Sequence, residues 1–155
     1  MASQKRHSRP WYEEGLRFEC QRCGGCCSGP PGYVELTSEE ALHMAQFLGI
    51  SLGEFQERYT RTEYMPRWYL KEVPSEFGFD CIMLERDSEP PYLAGCKVHK
   101  CRPQQCRTWP FWPSNLRSAS AWASHAQQCP GFNCGPLFSF SAIERLKNQS
   151  GLEDL

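Results

Sequence analysis

The clearest elements that the hydrophobic pattern predicts are two amphipathic helices in residues 37–59. The first begins at a capping box, with Thr37 as the N-cap and Glu40 three residues later, and it ends at Gly49. Its apolar positions recur at helical spacing, at Ala41, Leu42, Ala45 and Leu48. Ser51 caps the second helix, whose apolar face is Leu52, Phe55 and Tyr59. We assign both helices to the scaffold and no chemistry to either.

Alternation of apolar and polar residues predicts short strands around these helices, at 33–36, 68–73, 80–84 and 92–98. A second capping box, Ser141 to Glu144, is expected to open a C-terminal helix. The stretch 103–113 holds three prolines, which a helix interior or a central strand does not accommodate. We predict an ordered loop there. Its aromatic residues and Trp122 should belong to the hydrophobic core and also act as a shield that excludes water from a neighbouring site.

The charge balance argues against a highly charged partner such as nucleic acid. The chain has 17 basic and 18 acidic residues, so its net charge of −1 predicts no nucleic-acid binding. The chain has no run of 18 apolar residues, so we predict no membrane span. It also has no apolar segment near the N-terminus, so we predict no secretion signal. We therefore expect a cytoplasmic protein in a reducing compartment, where thiols bind metals rather than pair as disulfides. A disulfide scaffold is the alternative that this compartment disfavours.

Four of the ten cysteines lie within eight residues, at Cys20, Cys23, Cys26 and Cys27. A cysteine at every third position lets thiolates converge, and the two glycines between them allow a tight turn. Adjacent cysteines do not easily point at one centre, so we expect Cys26 and Cys27 to diverge toward two centres. The other six cysteines are spread along the chain, and His99 beside Cys96 and Cys101 is a further candidate ligand, although a surface role suits it better.

The spacing leaves the metal open between iron–sulfur and zinc. The run C-x2-C-x2-C occurs in iron–sulfur proteins, although Cys27 replaces the usual continuation. Zinc favours two separate C-x2-4-C pairs, of which only Cys20 with Cys23 is evident. Spacing puts iron–sulfur slightly ahead, and one or two zinc ions that only staple the domain remain the alternative.

These features predict a small single domain of α+β class, low in regular structure and organised around a cysteine-ligated metal or iron–sulfur site. A chain of 155 residues fits one domain. We divide it into an N-terminal arm at 1–17, a cysteine-cluster metal-binding domain at 18–135, and a C-terminal helix and tail at 136–155.

Two arginines in the second dense segment are candidate neighbours of the metal. Thiolate-rich sites carry surplus negative charge, which the guanidinium groups of Arg102 and Arg107 could offset while they donate hydrogen bonds to sulfur. The alternative role for both arginines is to form ion pairs with surface carboxylates. No nucleophile elbow, P-loop, dinucleotide fingerprint or H-E-x-x-H motif is present, so the sequence assigns no catalytic residue.

The chain resembles the CxxCxxCC family of zinc- or iron-chelating domains, which includes the YkgJ-like proteins. The resemblance begins at Phe18-x-Cys20-x2-Cys23-Gly-x-Cys26-Cys27 and continues with Gly32-Tyr33-Val34-x-Leu36-Thr37-x2-Glu40. Further matching motifs are Cys81, Cys96, Arg102-Pro103-x2-Cys106-Arg107, Trp109-Pro110-Phe111 and Cys129-Pro130-Gly131. Together they span about residues 18–135.

The resemblance implies eight metal ligands: Cys20, Cys23, Cys26, Cys27, Cys81, Cys96, Cys106 and Cys129. Cys101 and Cys134 depart from the family pattern, and we treat them as small buried or variable residues. A related domain occurs in flagellin lysine methylases, but nothing outside the cysteine domain of this chain supplies a transferase.

Three functions follow. The first is an iron–sulfur protein with a redox role or one that supports protein modification. The second is a zinc protein whose metal is structural, and the third is a metal chelation or delivery protein with exchangeable ligands. Metal ions are the partners expected in each case, and a protein partner is left open.

Overall fold

The computed structural model describes residues 8–152, and within them both helices and small sheets form, so the fold is α+β as predicted. Residues 1–7 of the expected arm and 153–155 of the expected tail lie outside the described residues. The α-helices are α1 (Ser38–Leu48), α2 (Leu52–Tyr59), α3 (Gln104–Arg107), α4 (Pro113–Leu116), α5 (Ala119–Ala126) and α6 (Phe140–Gln149). None of them is long and apolar enough to cross a membrane.

The strands are short and belong to four small antiparallel sheets in the described part of the chain. They are β1 (Leu16–Phe18), β2 (Ser28–Gly29), β3 (Glu35–Leu36), β4 (Trp68–Tyr69), β5 (Glu72–Ser75), β6 (Gly78–Cys81), β7 (Leu84–Arg86), β8 (Ala94–Cys96) and β9 (Phe132–Phe138). The pairings are β1 with β9, β3 with β4, β7 with β8, and the order β2-β6-β5.

Local capping signals predicted the first two helices correctly. Thr37 and Glu40 form the capping box of α1, Gly49 ends that helix in the left-handed conformation, and Ser51 caps α2. Helix α6 exists as predicted, but its N-cap is Ser139 rather than Ser141. A serine lies at both positions, so the sequence offered two equivalent caps.

The predicted strands are present but divided. The segment 68–73 pairs with β3 as far as Tyr69 and then changes partner to β6 at Glu72. The segment 80–84 is interrupted because Met83 turns into the core between β6 and β7. The prediction of a loop at 103–113 is wrong at α3: a single helical turn fits between Pro103, at its N-cap, and Pro110 beyond its end.

The described residues form two separate hydrophobic cores, and different cysteines pack against each. The first is built from α1, α2 and the neighbouring strands, and its buried members are Leu36, Ala41, Met44, Ala45, Phe55, Leu70, Met83 and Val98. The second joins the N-terminal segment to the C-terminal third, and its buried members are Tyr12, Phe111, Leu116, Trp122, Phe132 and Ile143. Cys81, Cys96 and Cys101 pack against the first core, whereas Cys129 packs against the second.

The cysteine run 20–27 and the residue before it are hydrogen-bonded to two distant segments of the chain. Glu19 donates its backbone N–H to the carbonyl of Gly131, beside Cys129, at 3.1 Å. Arg22 is bound to β8, because its carbonyl accepts the N–H of Ala94 at 2.7 Å and its Nε donates to the carbonyl of Ala94 at 2.9 Å. The run therefore joins the two halves of the chain before any metal is considered.

The contact at Gly131 leaves no room for a side chain. A Cβ at this position would lie 2.4 Å from the backbone oxygen of Glu19 and 3.1 Å from the ring of Phe18. We expect Gly131→Ala to destabilise the protein by about 1–3 kcal/mol, because β1 must move away from the turn that carries Cys129. Urea unfolding measures this loss.

The matched control is Gly53→Ala in α2, where a Cβ meets nothing within 4 Å. That change should leave stability unaltered or raise it slightly, since alanine favours a helix over glycine. Equal stability of the two variants would contradict the close approach of Glu19 and Gly131.

Candidate metal centre

All ten cysteines lie in the described residues and are free thiols. Two of them share one local geometry, in which the sulfur accepts a hydrogen bond from the backbone N–H two residues later: Cys20 from Arg22 and Cys23 from Gly25, both at 3.4 Å. The backbone N–H two residues later also acts to lower the pKa values of Cys81, Cys96 and Cys129. Backbone amides aimed at sulfur stabilise the thiolate, which is the form that binds metal.

Within the run, positive backbone φ angles turn the chain so that a backbone N–H points at the cysteine sulfur two residues earlier. Arg22 has φ of 56° and Gly24 has φ of 77°, so the chain turns sharply after each of the first two cysteines. Glycine is required at position 24, since a Cβ would lie 2.9 Å from the Cβ of Ala94. The turn thereby places Gly25–Cys27 in a single turn of 3₁₀ helix.

The sulfurs of Cys26 and Cys27 do not diverge as expected from their adjacency. They lie 3.6 Å apart and share a hydrogen bond, so both point into the same region. The tight 3₁₀ turn explains the difference from an extended chain, in which successive side chains point to opposite sides. The bond lowers the pKa of Cys26 and raises that of Cys27, consistent with Cys27 as its donor.

Cys26 is the common neighbour of the other thiols. Burial is the main cause that raises the pKa of Cys81 and Cys129 to about 11, that of Cys106 to about 12, and that of Cys96. The charge of Cys26 raises all four of these pKa values further. The structure therefore brings one cysteine of the run near four that lie far along the chain.

A second close pair joins the two ends of this arrangement. The sulfurs of Cys23 and Cys129 lie 4.0 Å apart although 106 residues separate them in sequence. A tetrahedral thiolate site with bonds of about 2.3 Å sets its sulfurs about 3.8 Å apart. Both close pairs thus have the separation of two ligands on one metal ion.

Within residues 8–152, however, no group of three or more cysteine, histidine or carboxylate side chains is already placed to hold a single ion. Metal binding at this site therefore requires either small side-chain rotations or a cofactor with several metal atoms.

The two candidate arginines have different surroundings. The charge of Arg102 lowers the pKa values of Cys26, Cys96 and Cys106, and its Nε donates a hydrogen bond to the carbonyl of His99 at 3.1 Å. Arg107 forms an ion pair with Glu40 at 3.9 Å, and 57% of its side chain is exposed. His99 is exposed, and its pKa is lowered mainly by the charge of Arg102.

Two cavities meet at Cys26. The larger, of about 740 Å³, is lined by Cys23, Cys26 and Cys129 together with Trp109 and His125. The smaller, of about 210 Å³, is lined by Cys26, Cys27, Cys81 and Trp112. Each cavity therefore exposes three of the cysteine side chains.

The aromatic loop contributes to the core as predicted from the sequence, and its predicted role as a shield stays a prediction. Phe111 and Trp122 are buried in the second core. Trp109 and Trp112 are half-buried, lie against each other edge to face at 4.8 Å, and line the larger and the smaller cavity respectively. The indole of Trp112 donates a hydrogen bond to the carbonyl of Gln105 at 2.9 Å, which fixes its position beside Cys106.

A half-buried carboxylate holds the end of the run in place. Asp80, on β6, accepts hydrogen bonds from Ser28 at 2.6 Å, from Ser75 at 3.0 Å and from Arg86 at 3.1 Å. Burial would raise the pKa of Asp80, but these hydrogen bonds outweigh it and hold the pKa below its usual value. This network fixes the segment after Cys27 to the strand that ends at Cys81.

The two cysteines left out of the candidate set have other surroundings. The Cys134 thiol is exposed and donates a hydrogen bond to the carbonyl of Pro130 at 3.3 Å. Cys101 is half-buried against the first core, and burial raises its pKa. His125 lines the larger cavity but was not in the candidate ligand set, and its H-x3-C spacing to Cys129 is the signal that could have found it.

The fold and the site define a cysteine-rich metal-binding protein. The chain belongs to the CxxCxxCC family, whose model matches residues 19–130 and is described as a "putative zinc- or iron-chelating domain". It is 31% identical over 100 residues to an uncharacterized protein of Methanocaldococcus jannaschii, a match that covers 64% of this chain and 48% of the relative. The chain thus spans about half the length of that relative, and no solved structure matches it.

Proposed function

We propose that this protein carries an iron–sulfur cluster and has a redox role. The eight cysteines of the family pattern are the proposed metal ligands, and the thiols gathered around Cys26 are the proposed holders of the cluster. These are Cys26, Cys27, Cys81, Cys96 and Cys106. Their convergence from distant parts of the chain is the observation that carries the proposal.

The spread of these thiols favours a cluster over a single ion. In a cluster of four irons each thiolate binds a different metal atom, so the sulfurs stand apart around a space. The thiols near Cys26 interact with one another without converging on one point. This arrangement suits a cofactor with several metal atoms.

The surroundings of the thiols also suit a cluster. The cluster and its thiolates carry net negative charge, which the nearby Arg102 guanidinium offsets. Trp109 and Trp112 line the two cavities and limit the approach of water. Charge and solvent exposure are the main properties through which a protein tunes the potential of such a group, which supports a redox role.

Structural zinc is the second candidate, and the close sulfur pairs favour it. Separations of 3.6 Å between Cys26 and Cys27 and 4.0 Å between Cys23 and Cys129 match neighbouring ligands of one tetrahedral ion. A protein of this kind would bind zinc without colour and would have no redox activity.

Anaerobic purification followed by analysis of iron, zinc and acid-labile sulfide tests the proposal. We expect a brown protein with comparable amounts of iron and sulfide, whose visible absorption bleaches on one-electron reduction by dithionite. The Cys134→Ser variant should behave in the same way, because the Cys134 thiol is exposed and is engaged by Pro130. Colourless protein that takes up zinc but no sulfide, even after anaerobic reconstitution with iron and sulfide, would exclude the cluster.

A further inference from the structure

We propose that His125 completes a second, separate metal site with Cys20, Cys23 and Cys129, and that this site takes one zinc ion. The inference deepens the proposed function by dividing the eight cysteines between two centres. It rests on the proposed function only in assigning an iron–sulfur cluster to the other five cysteines. The carrying observation is that Cys23, Cys129 and His125 line one cavity, with two of the sulfurs at the separation expected for ligands of a single ion.

His125 and Cys129 are presented by one continuous helical turn. Helix α5 ends at Ala126, but the N–H of Cys129 still donates to the carbonyl of His125 at 2.9 Å. Residues at positions i and i+4 of such a turn lie on the same face. This places the imidazole and the thiol side by side toward the cavity that Cys23 also lines.

The imidazole of His125 is held by aromatic neighbours. Its ring meets Trp109 edge to face at 5.8 Å and stacks against Phe132 at 6.1 Å. Phe132 belongs to the second core, so the ring is anchored to a rigid part of the fold. Metal-binding histidines need such orientation, because only one ring nitrogen can face the ion.

The remaining two ligands come from the start of the run. The sulfurs of Cys20 and Cys23 each accept a backbone N–H at 3.4 Å, from Arg22 and Gly25 respectively. Both side chains are exposed, so rotation of either sulfur toward the ion meets little resistance. The backbone bond from Glu19 to Gly131 keeps this part of the run beside Cys129.

The donor set favours zinc. Three thiolates and one imidazole, arranged as C-x2-C and H-x3-C, form the Cys₃His type of tetrahedral zinc site. An iron–sulfur cluster here would have to compete for Cys26 with the thiols of the other centre. Because the zinc site has four ligands of its own, Cys26 stays available to the cluster proposed at the other five cysteines.

Zinc and iron are measured separately in the full chain and its variants, purified anaerobically. We expect about one zinc per wild-type chain, and His125→Ala should lose most of it while keeping its iron, sulfide and visible absorption. Cys106→Ser should show the reverse, losing iron and sulfide but keeping zinc. His43→Ala is the matched control, since His43 is exposed on α1, and it should keep both metals.

Cobalt(II) provides a second measurement that depends on the ligands rather than on the amount of metal. Cobalt in the wild-type site should show the absorption of three thiolates and one nitrogen, and His125→Cys should shift it to that of four thiolates. Circular dichroism identifies variants that fail to fold, and for those His125→Gln replaces the alanine.

Three results would overturn the inference: zinc retained in folded His125→Ala with an unchanged cobalt spectrum, simultaneous loss of zinc and iron in that variant, or a folded wild-type chain that binds neither zinc nor cobalt. If iron and sulfide are absent from the wild type while His125→Ala still loses zinc, the cluster proposal fails and the zinc site stands.

Discussion

Removal of the metal should lower the melting temperature of the protein by roughly 10–20 °C. The reason is chain connectivity, since a metal that joins Cys23 to Cys129 closes a loop between residues 106 positions apart. Closing a loop of that length restricts the unfolded chain by about 4–5 kcal/mol in the chain-entropy estimate. For a chain of about this size, each kcal/mol corresponds to roughly 2–4 °C.

The pattern of unfolding should change as well, because the proposed metal ligands include cysteines that pack against each of the two cores. In the metal-free protein, we expect the core around Phe55 and the core around Trp122 to open independently. Hydrogen exchange read by mass spectrometry resolves the two, since their buried residues come mostly from different segments of the chain. With metal bound, the two sets of amides should be protected together.

Reconstitution is the control for this experiment. Adding metal back to the stripped protein should restore both the melting temperature and the joint protection of the two cores. A melting temperature that falls by less than about 3 °C, with both cores still opening together, would show that the cysteine site does not hold the halves of the fold together.

Replacement of Cys26 by serine should remove most of the bound iron and sulfide. Cys26 lines both cavities, contacts Cys27 at 3.6 Å, and acts electrostatically on Cys81, Cys96, Cys106 and Cys129. No other ligand candidate is shown to reach as many of the described thiols, so its loss should have the largest effect of any single cysteine. Iron and sulfide analysis after anaerobic reconstitution measures it.

Cys27→Ser and Cys134→Ser complete the series. Cys27→Ser should lose iron and stability to a smaller extent, because Cys26 stays in place. Cys134→Ser should retain both, because the Cys134 thiol is exposed and donates a hydrogen bond to the carbonyl of Pro130. Full iron content in Cys26→Ser, or a loss of equal size in Cys134→Ser, would contradict the central position assigned to Cys26.

Elements fixed by neighbouring residues were predictable from the sequence, whereas elements fixed by distant residues were not. The caps at Thr37 and Ser51 gave α1 and α2 because a cap is a contact over three residues. Strand β1 was missed because it exists only through pairing with β9, near the other end of the described chain. Helix α5 lacks a strong apolar repeat and buries only Trp122, so its pattern gave no helical signal.

The same distinction applies to the candidate site. The ligand set came from residue type and from family resemblance, both of which are visible in the sequence. The closeness of Cys23 to Cys129 and the convergence of Cys26 with Cys27 depend on backbone turns at Arg22 and Gly24. A side-chain direction set by positive φ angles is not encoded by spacing, which is why the expected divergence of Cys26 and Cys27 was wrong.

The pairing of β1 with β9 has a consequence for how the protein is made. Cys23 is synthesised early, yet Cys129, whose sulfur lies 4.0 Å from that of Cys23, and Gly131, whose carbonyl accepts the N–H of Glu19, are synthesised more than 100 positions later. The first core, by contrast, is complete once Val98 has emerged. The nascent chain therefore passes through a stage in which one half is folded and several reactive thiols have not yet met the cysteines of the other half. During that stage the fold does not protect these thiols from oxidation, and the reducing conditions of the cell must do so.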